Sequence, residues 1–374
     1  MRRLKQFGFV ALLYCLLLVL VEGGGQLTIR YLEAKRPTGT FGDQILSHDE
    51  PLIGFGLKKN LDVWMGDWRV KTNSLGFRES TEIATPKPKN EIRIFMVGGS
   101  TIFGWPHDEE RTIPHKIEEL IRLRSSRSLA SQNKTVRVIN AGVPWYASWH
   151  EASLMFFRIL PLEPDWIIVF DGLNDVAQSL LPTWAPMRLG GFVDPAAQIA
   201  AELRYAPSEK RSFFIEILKT SPTFAYFYAK QKAKAQVNTG TYHPEVWDQY
   251  IETMEKLSLV TKARGIRFSH FLQPVIVLNK TLVYSEVVMN ASNLRLPEFA
   301  SLFKKVYLEG EKKLHENKNL NFKSLRTIFE DYPDRIYVDG LHYNETGNDM
   351  LASAIFDQEI SPNLERALLP RANP

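Results

Sequence analysis

Cysteine is almost absent from this chain of 374 residues. The one cysteine, Cys15, lies inside the apolar run near the N-terminus. The remaining sequence therefore contains no thiol that could act as a nucleophile, form a disulfide or bind a metal. Such a composition fits export to a compartment in which free thiols are a liability.

Several other chemistries lack the residue patterns that they need. The eight histidines are scattered without the paired spacing of a zinc site, and we expect neither a metal ion nor another cofactor. The net charge is only +4 and no basic tract follows the N-terminus, which argues against a nucleic-acid partner. The glycines after Val97 lack the lysine of a P-loop, and the dehydrogenase-like pair Tyr226 and Lys230 lies in an aromatic stretch typical of packing.

The long apolar run of the chain is at its N-terminus. A basic flank precedes residues 7–21, and Glu22 and three glycines end the run. This pattern predicts a signal anchor, a transmembrane segment over residues 1–29, with the rest of the chain extracytoplasmic. A cleaved export signal is the alternative, because the run is shorter than the roughly 20 residues that span a bilayer.

Residues 30–90 are polar and weakly periodic, and we interpret them as a juxtamembrane lead-in. They include VKTNSLGFRES, in which Asn-Ser-Leu-Gly is a turn signal. A hairpin packed under the main domain is favoured over a segment in which Asn73 or Arg78 contacts a ligand.

From Arg93 onward, apolar runs alternate with amphipathic stretches. The predicted strands are Ile92–Val97, Val136–Gly142, Asp165–Gly172 and Ile266–Pro274, and predicted helices include Ile113–Arg124 and His150–Leu160. This order predicts an α/β fold with a parallel sheet and right-handed crossovers. Residues from 176 to about 240 are interpreted as a lid-like insertion.

Ser100 follows the first predicted strand directly. Gly98 and Gly99 permit a tight turn there, and the carboxyl edge of a parallel sheet is where ligands bind. Ser100 is therefore a candidate nucleophile. The alternative is that Ser100 or Thr101 only caps the next helix.

Asp339 and His342 are three residues apart near the C-terminus, before a capped helix. One turn with this spacing directs the histidine at Ser100 while the aspartate orients its ring. Donors for an oxyanion would be the backbone N–H groups of Ser100 and Gly142 and the side-chain amide of Asn174. Asp171 and Asp175 are given structural roles instead, at the sheet edge and at a helix N-cap.

Taken together, these blocks resemble those of the SGNH (GDSL-like) hydrolase family, in the family's order. They are GGST around Ser100, NAG at Gly142, GLND at Gly172 to Asp175, and DGLH at Asp339 to His342. The resemblance covers about residues 92–360. It implies a flavodoxin-like three-layer α/β/α sandwich over residues 91–362, followed by a C-terminal tail at 363–374. It also implies a catalytic set of Ser100, Asp339 and His342 with an oxyanion hole of Ser100, Gly142 and Asn174.

Other segments are similar to membrane-tethered bacterial members found with cell-envelope polysaccharide genes. These are the N-terminal anchor, the NSLGFR segment and FLQP at Phe271 to Pro274. One position departs from the family, since Gly99 stands where the first block often has aspartate. The departure removes a carboxylate that braces the loop and leaves the catalytic groups intact.

Three tryptophans follow two of the predicted strand ends: Trp105, Trp145 and Trp149. Flat aromatic faces beside a nucleophile suit stacking on sugar rings, whereas packing of the loops is the alternative. Tryptophan binding of sugar would fit an acylated glycan as the substrate.

The function expected from the sequence is that of a membrane-tethered, extracytoplasmic serine esterase that removes or moves O-acetyl groups on an envelope glycan. An O-acyltransferase that passes the acyl group to a sugar hydroxyl is one alternative. A non-catalytic glycan-binding or envelope-assembly protein, with possible partners in polysaccharide machinery, is an alternative of another class.

Overall fold

The computed structural model describes residues 20, 22–28, 41–50, 52–179, 243, 245–278 and 297–368. The chain divides into two compact units, one of residues 1–44 and 192–239 and one of residues 45–191 and 240–374. In the first unit, residues 22–28 are helical. No helix of the described residues is long and apolar enough to cross a bilayer. Most of the anchor predicted at 1–29 lies outside those residues.

The described strands are β1 (Leu46–Glu50), β2 (Gly54–Leu57), β3 (Asp62–Met65), β4 (Trp68–Lys71), β5 (Glu91–Gly98), β6 (Thr135–Gly142), β7 (Trp166–Asp171), β8 (Arg267–Leu272) and β9 (Phe322–Ser324). The α-helices are α1 (Phe41–Ile45), α2 (Ser100–Phe103), α3 (Ile113–Arg124), α4 (Ser126–Ser131), α5 (Ser148–Leu154), α6 (Leu173–Ser179), α7 (Val246–Ala263), α8 (Pro297–Glu316), α9 (Glu345–Ile355) and α10 (Ser361–Leu368). Short 3₁₀ turns are at Glu109–Arg111 and Leu160–Leu162, and π-helical turns are at Met155–Ile159 and Phe356–Ile360.

The main sheet is parallel, and its described strands lie in the order β6-β5-β7-β8-β9. Numbered along the chain, this order is 2-1-3-4-5, the flavodoxin-like arrangement, and it reverses direction at β5. The four predicted strands are confirmed. The short strand Phe322–Ser324 was not predicted, because three half-buried residues form no apolar run.

Helices cover both faces of the sheet. On one face, Ile94 and Met96 of β5 join one buried apolar cluster with Ile117 of α3 and Leu351 of α9. On the other face, α7 packs against β8, where the Tyr250 hydroxyl binds His270. The predicted three-layer α/β/α arrangement is therefore confirmed, because apolar side chains leave the strands on both faces.

The end of the predicted lead-in packs on this sheet. Phe77 contacts Phe95 of β5 with ring centroids 5.5 Å apart. The turn before it is held by Asn73, whose Oδ1 accepts from the backbone N–H groups of Leu75 and Phe77 at 3.1 and 3.0 Å. The turn signal at Asn73 is confirmed, and residues 45–90 belong to the same compact unit as the sheet.

Helix ends agree with the sequence in part. Helix α3 has the predicted bounds, and the Asn344 side chain caps α9 by accepting from Gly347 N at 2.9 Å. The helix predicted at 150–160 begins at Ser148 and becomes a π-helical turn after Leu154. In the predicted insertion, residues 176–179 end α6, and the rest of it, residues 180–240, lies outside the described residues. Residues 363–368 of the predicted tail are helical.

Gly310 tests the packing of α7 against α8. Glycine-to-alanine changes inside helices usually stabilise by about 1 kcal/mol. Here a Cβ would lie 1.8 Å from Cε2 of the Trp247 ring. We therefore expect Gly310→Ala to lower the free energy of unfolding by about 2 kcal/mol in urea titrations. The exposed neighbour Lys305→Ala should change little, and a Gly310→Ala protein as stable as wild type would contradict this packing.

Candidate active site

The turn after β5 places Ser100 at the carboxyl edge of the sheet, where the strand order reverses. Strand β5 ends at Gly98 and α2 begins at Ser100. A Cβ on Gly98 would lie 2.4 Å from the Phe170 carbonyl oxygen, and one on Gly99 would lie 2.6 Å from Asn174 Nδ2. Both positions need glycine because neighbouring strand and helix ends approach the turn closely.

Ser100, His342 and Asp339 form one hydrogen-bonded chain. Ser100 Oγ lies 2.7 Å from His342 Nε2, and His342 Nδ1 lies 2.7 Å from Asp339 Oδ2. With the proton on Nδ1, the histidine donates to the aspartate and accepts from the serine hydroxyl. The structure thus brings together residues that are 242 positions apart in the chain.

The loop that carries the histidine is fixed by short-range contacts. Asp339 Oδ1 accepts from the backbone N–H groups of Leu341 and His342, both at 2.8 Å. Burial alone would raise the pKa of Asp339, but the hydrogen bond and charge of His342 and these two N–H donors hold its pKa below the ordinary value. The carboxylate therefore stays ionised and sets the orientation of the His342 ring.

The predicted oxyanion donors have different surroundings. The Ser100 N–H is at the start of α2, where backbone donors have no partner within the helix. Asn174 Nδ2 donates one hydrogen to the Tyr146 carbonyl at 2.7 Å, which fixes the amide plane beside Gly99. The second hydrogen of this amide can then be donated to an oxyanion.

Gly142 does not have the predicted role. Its N–H donates to Asn140 Oδ1 at 3.0 Å, and a Cβ there would lie 2.1 Å from Phe103 N. Gly142 therefore permits β6 to pack closely against α2, and the prediction that it supplies an oxyanion donor is wrong. The asparagine two residues earlier was the available signal, because Asn side chains often bind the backbone two positions on.

Helix α6 holds the loop that follows β6, a contact that sequence reasoning missed. Asp175 accepts from Ser148 N at 3.2 Å and from Ser148 Oγ at 2.6 Å, and Gln178 Nε2 donates to the Trp145 carbonyl at 3.1 Å. Trp145 has φ = 72°, a conformation that L-residues rarely adopt. Asp175 thus lies inside α6 and binds the start of α5, which corrects its predicted N-cap role.

The three tryptophans occupy different environments. The half-buried Trp105 ring lies 6.1 Å from the His342 ring, and the Trp145 side chain is 39% exposed. Trp149 packs against His150 at 5.1 Å, and its indole nitrogen is buried without a hydrogen-bond partner. Of the three, Trp105 has a described contact with the catalytic candidates, whereas Trp149 is half-buried with its indole nitrogen inside the fold.

A group of buried carboxyls lies behind α6. Burial and repulsion from Asp171 raise the pKa of Glu151 well above its ordinary value, and burial raises the pKa of Asp175 to about 7. A side-chain hydrogen bond with Asp171 raises the pKa of Glu151 further. The Tyr250 hydroxyl binds both Asp171 and His270. Within the described ranges, no group of three or more histidine, cysteine, aspartate or glutamate side chains could hold a metal ion.

No family model matches the chain, and no curated protein sequence matches it. Among solved structures it is similar to LAE5, an α/β hydrolase enzyme from the metagenome of Lake Arreo, Spain, at 12% identity over 75% of this chain and 97% of that chain, with a TM-score of 0.37. It is also similar to the acetyl xylan esterase AlAXEase, at 13% identity over 72% and 100% of the two chains, with a TM-score of 0.37. A catalytic mutant of Axe2, an acetylxylan esterase from Geobacillus stearothermophilus, gives 14% identity over 71% and 93%, with a TM-score of 0.39. At these identities and TM-scores, the similarities do not identify a function.

Glu151 should make the stability of the fold depend on pH. Above the ordinary glutamate pKa, the unfolded chain releases a proton that folded Glu151 retains, so the free energy of unfolding falls as pH rises. We expect Glu151→Gln to reduce this slope between pH 5 and 7 by up to about 1.4 kcal/mol per pH unit in chemical denaturation. The exposed Glu119→Gln should keep the wild-type slope. An unchanged slope in Glu151→Gln would show that Glu151 ionises normally.

Proposed function

We propose that this protein is an SGNH-type serine esterase that acts on small acyl esters through Ser100. The observation that carries the proposal is the hydrogen-bonded chain from Ser100 Oγ through His342 to Asp339. This arrangement is the one that nucleophilic acyl transfer needs, with a base next to the hydroxyl and a carboxylate that orients the base.

The reaction follows from the positions of these atoms. His342 Nε2 takes the hydroxyl proton while Ser100 Oγ attacks the acyl carbonyl carbon. The negative charge on the carbonyl oxygen is stabilised by the Ser100 N–H and the Asn174 amide, each worth about 3 kcal/mol. His342 then gives its proton to the departing alcohol, and Asp339 stabilises the imidazolium. Water, activated by His342, breaks the acyl-serine bond and restores Ser100.

We further propose that the substrate is an O-acetylated glycan of the cell envelope. Two observations support this class of substrate. The Trp105 ring lies beside His342, and the Trp145 side chain is exposed in the loop that Asn174 binds at Tyr146. Aromatic faces with nearby polar groups suit sugar rings.

We propose an extracytoplasmic location with an N-terminal membrane anchor. The basic flank and the apolar residues 7–21 support this location, as does the lack of cysteine beyond Cys15. The proposed anchor and the proposed substrate agree with each other, because the anchor would hold the catalytic domain on the translocated side of the membrane, where an envelope glycan lies.

Hydrolysis of p-nitrophenyl acetate by the full chain tests the reaction. We expect wild type to release p-nitrophenol, and Ser100→Ala and His342→Ala to lower kcat by about 10⁴-fold or more, since triad members act as a unit. His315→Ala, which changes another histidine of the same unit, should keep the wild-type rate. Both triad variants should retain the wild-type thermal unfolding temperature within a few degrees.

A wild-type rate equal to that of the variants would contradict water as the acceptor. A fluorophosphonate probe then distinguishes the remaining functions. Labelling that Ser100→Ala abolishes would indicate a reactive serine and hence an acyltransferase. The absence of labelling would indicate a glycan-binding protein without catalytic activity.

Trp145 tests the proposed glycan substrate. Because stacking on a sugar is worth about 1 kcal/mol, we expect Trp145→Ala to lower kcat/KM for an acetylated oligosaccharide by about fivefold to tenfold. Hydrolysis of p-nitrophenyl acetate should change less than twofold. Trp64→Ala removes a tryptophan that is 64% exposed on the β3–β4 hairpin and serves as the control. Equal losses on both substrates would contradict sugar stacking.

A further inference from the structure

Arg78, a fully buried arginine of the predicted lead-in, binds the segment at the end of α2, the helix that begins at Ser100. Arg78 has 0% exposure. Its guanidinium lies 4.2 Å from the centre of the Phe103 ring and 5.4 Å from that of Trp68. Burial lowers its pKa to about 9, against the opposing effect of Glu109, so the group keeps its charge at neutral pH. A buried charge is costly unless its hydrogen bonds are made, so its partners indicate its role.

The partners are backbone carbonyls at the two ends of one short segment. Arg78 Nη1 donates to the Phe103 carbonyl at 2.7 Å, and Nη2 donates to the His107 carbonyl at 2.5 Å. Nη2 is also 3.4 Å from the Arg69 carbonyl on β4. The planar fork of arginine thus connects residues 103–107 to the β3–β4 hairpin, which a lysine ammonium cannot do with the same geometry.

Segment 103–107 contacts the loop that carries His342 through Trp105 and through His107. The centre of the Trp105 ring lies 6.1 Å from that of His342, and on its other contact it lies 4.9 Å from that of Trp68, edge to face. His107 Nε2 lies 2.8 Å from the carbonyl oxygen of Tyr343, the residue after His342. The position of Trp105 relative to His342 therefore depends on how the segment is held.

The side of His342 on which Trp105 lies has a chemical meaning in the proposed reaction. His342 gives its proton to the departing alcohol, so the alcohol part of the ester must lie beside the His342 ring. A ring that flanks His342 is therefore next to the alcohol part, and the acyl part lies on the side of the oxyanion donors.

We propose that Arg78 is a positioning residue that holds Trp105 as a wall of the subsite for the alcohol part of the ester. Arg78 and the β3–β4 hairpin thereby take part in substrate selection, although none of these residues touches the reacting atoms. The inference rests on the proposed esterase function and deepens it, because it assigns recognition of the alcohol to one loop.

Substrates that vary one part of the ester at a time test the assignment. The alcohol changes between p-nitrophenyl acetate and glucose pentaacetate, and the acyl group changes between p-nitrophenyl acetate and p-nitrophenyl butyrate. We expect Arg78→Gln to raise KM for glucose pentaacetate by about tenfold, the equivalent of one lost aromatic contact. The acetate-to-butyrate ratio should stay within twofold of wild type. Arg78→Lys should give an intermediate KM.

Arg93 offers a matched control. It is also buried, and it donates to the Leu162 and Ala84 carbonyls at 2.6 and 3.0 Å, at the end of β5 opposite Ser100. Arg93→Gln should lower the unfolding temperature as Arg78→Gln does, with no change in KM for either alcohol. If Arg78 acts through Trp105, the double variant with Trp105→Ala should have the same KM as Trp105→Ala alone.

A spectroscopic readout keeps this inference separate from the esterase proposal. The close Trp68 and Trp105 rings should give an exciton couplet in the circular dichroism of the full chain, which Trp105→Phe should remove. We expect Arg78→Gln to weaken the couplet and Arg93→Gln to retain it, whether or not the protein hydrolyses esters. A wild-type couplet in folded Arg78→Gln, or an equal change of KM in Arg78→Gln and Arg93→Gln, would overturn the inference. An inactive wild type with the expected couplets would refute the esterase function alone.

Discussion

The structure depends on close backbone approach at the carboxyl edge of the sheet. Gly98 lets β5 end against the Phe170 carbonyl, and Gly142 lets β6 end against the backbone of α2. A single Cβ at either position would force neighbouring backbone apart, because interiors are close-packed and transmit such strain. This tight turn places Ser100 Oγ 2.7 Å from His342 Nε2.

Buried polar groups organise the loops around this edge. Asn174, Asp175 and Gln178 on α6 bind the loop after β6, and Arg78 binds the segment after α2. Each contact joins a side chain to backbone or to a short polar side chain, so the loops have few alternative positions. The candidate site is thus built on rigid elements, which suits a reaction that depends on the alignment of donors and a nucleophile.

Part of this arrangement could be predicted from residue patterns alone. Apolar runs identified four parallel strands, because fully buried strands leave little room for polar residues. The Asp339 and His342 spacing indicated one turn, since that contact is local. The role of Gly142 was predicted wrongly, because the prediction took its N–H to be unpaired and did not use Asn140, whose side chain binds the backbone two positions on. The short strand β9 was missed because its pairing with β8 comes from tertiary contact.

The sequence by itself determined which elements form and which residue types stand at their ends: the strand before Ser100, the turn at Asn73, the cap at Asn344 and the Asp-x-x-His turn. These features depend on neighbours within a few positions, where propensity and spacing act directly. Only the tertiary structure decided that Ser100 Oγ lies 2.7 Å from His342 Nε2, that α6 binds the loop carrying Trp145, and that Arg78 binds both ends of segment 103–107. Those contacts join residues far apart in the chain, and they follow from strand order and close packing, which periodicity does not record.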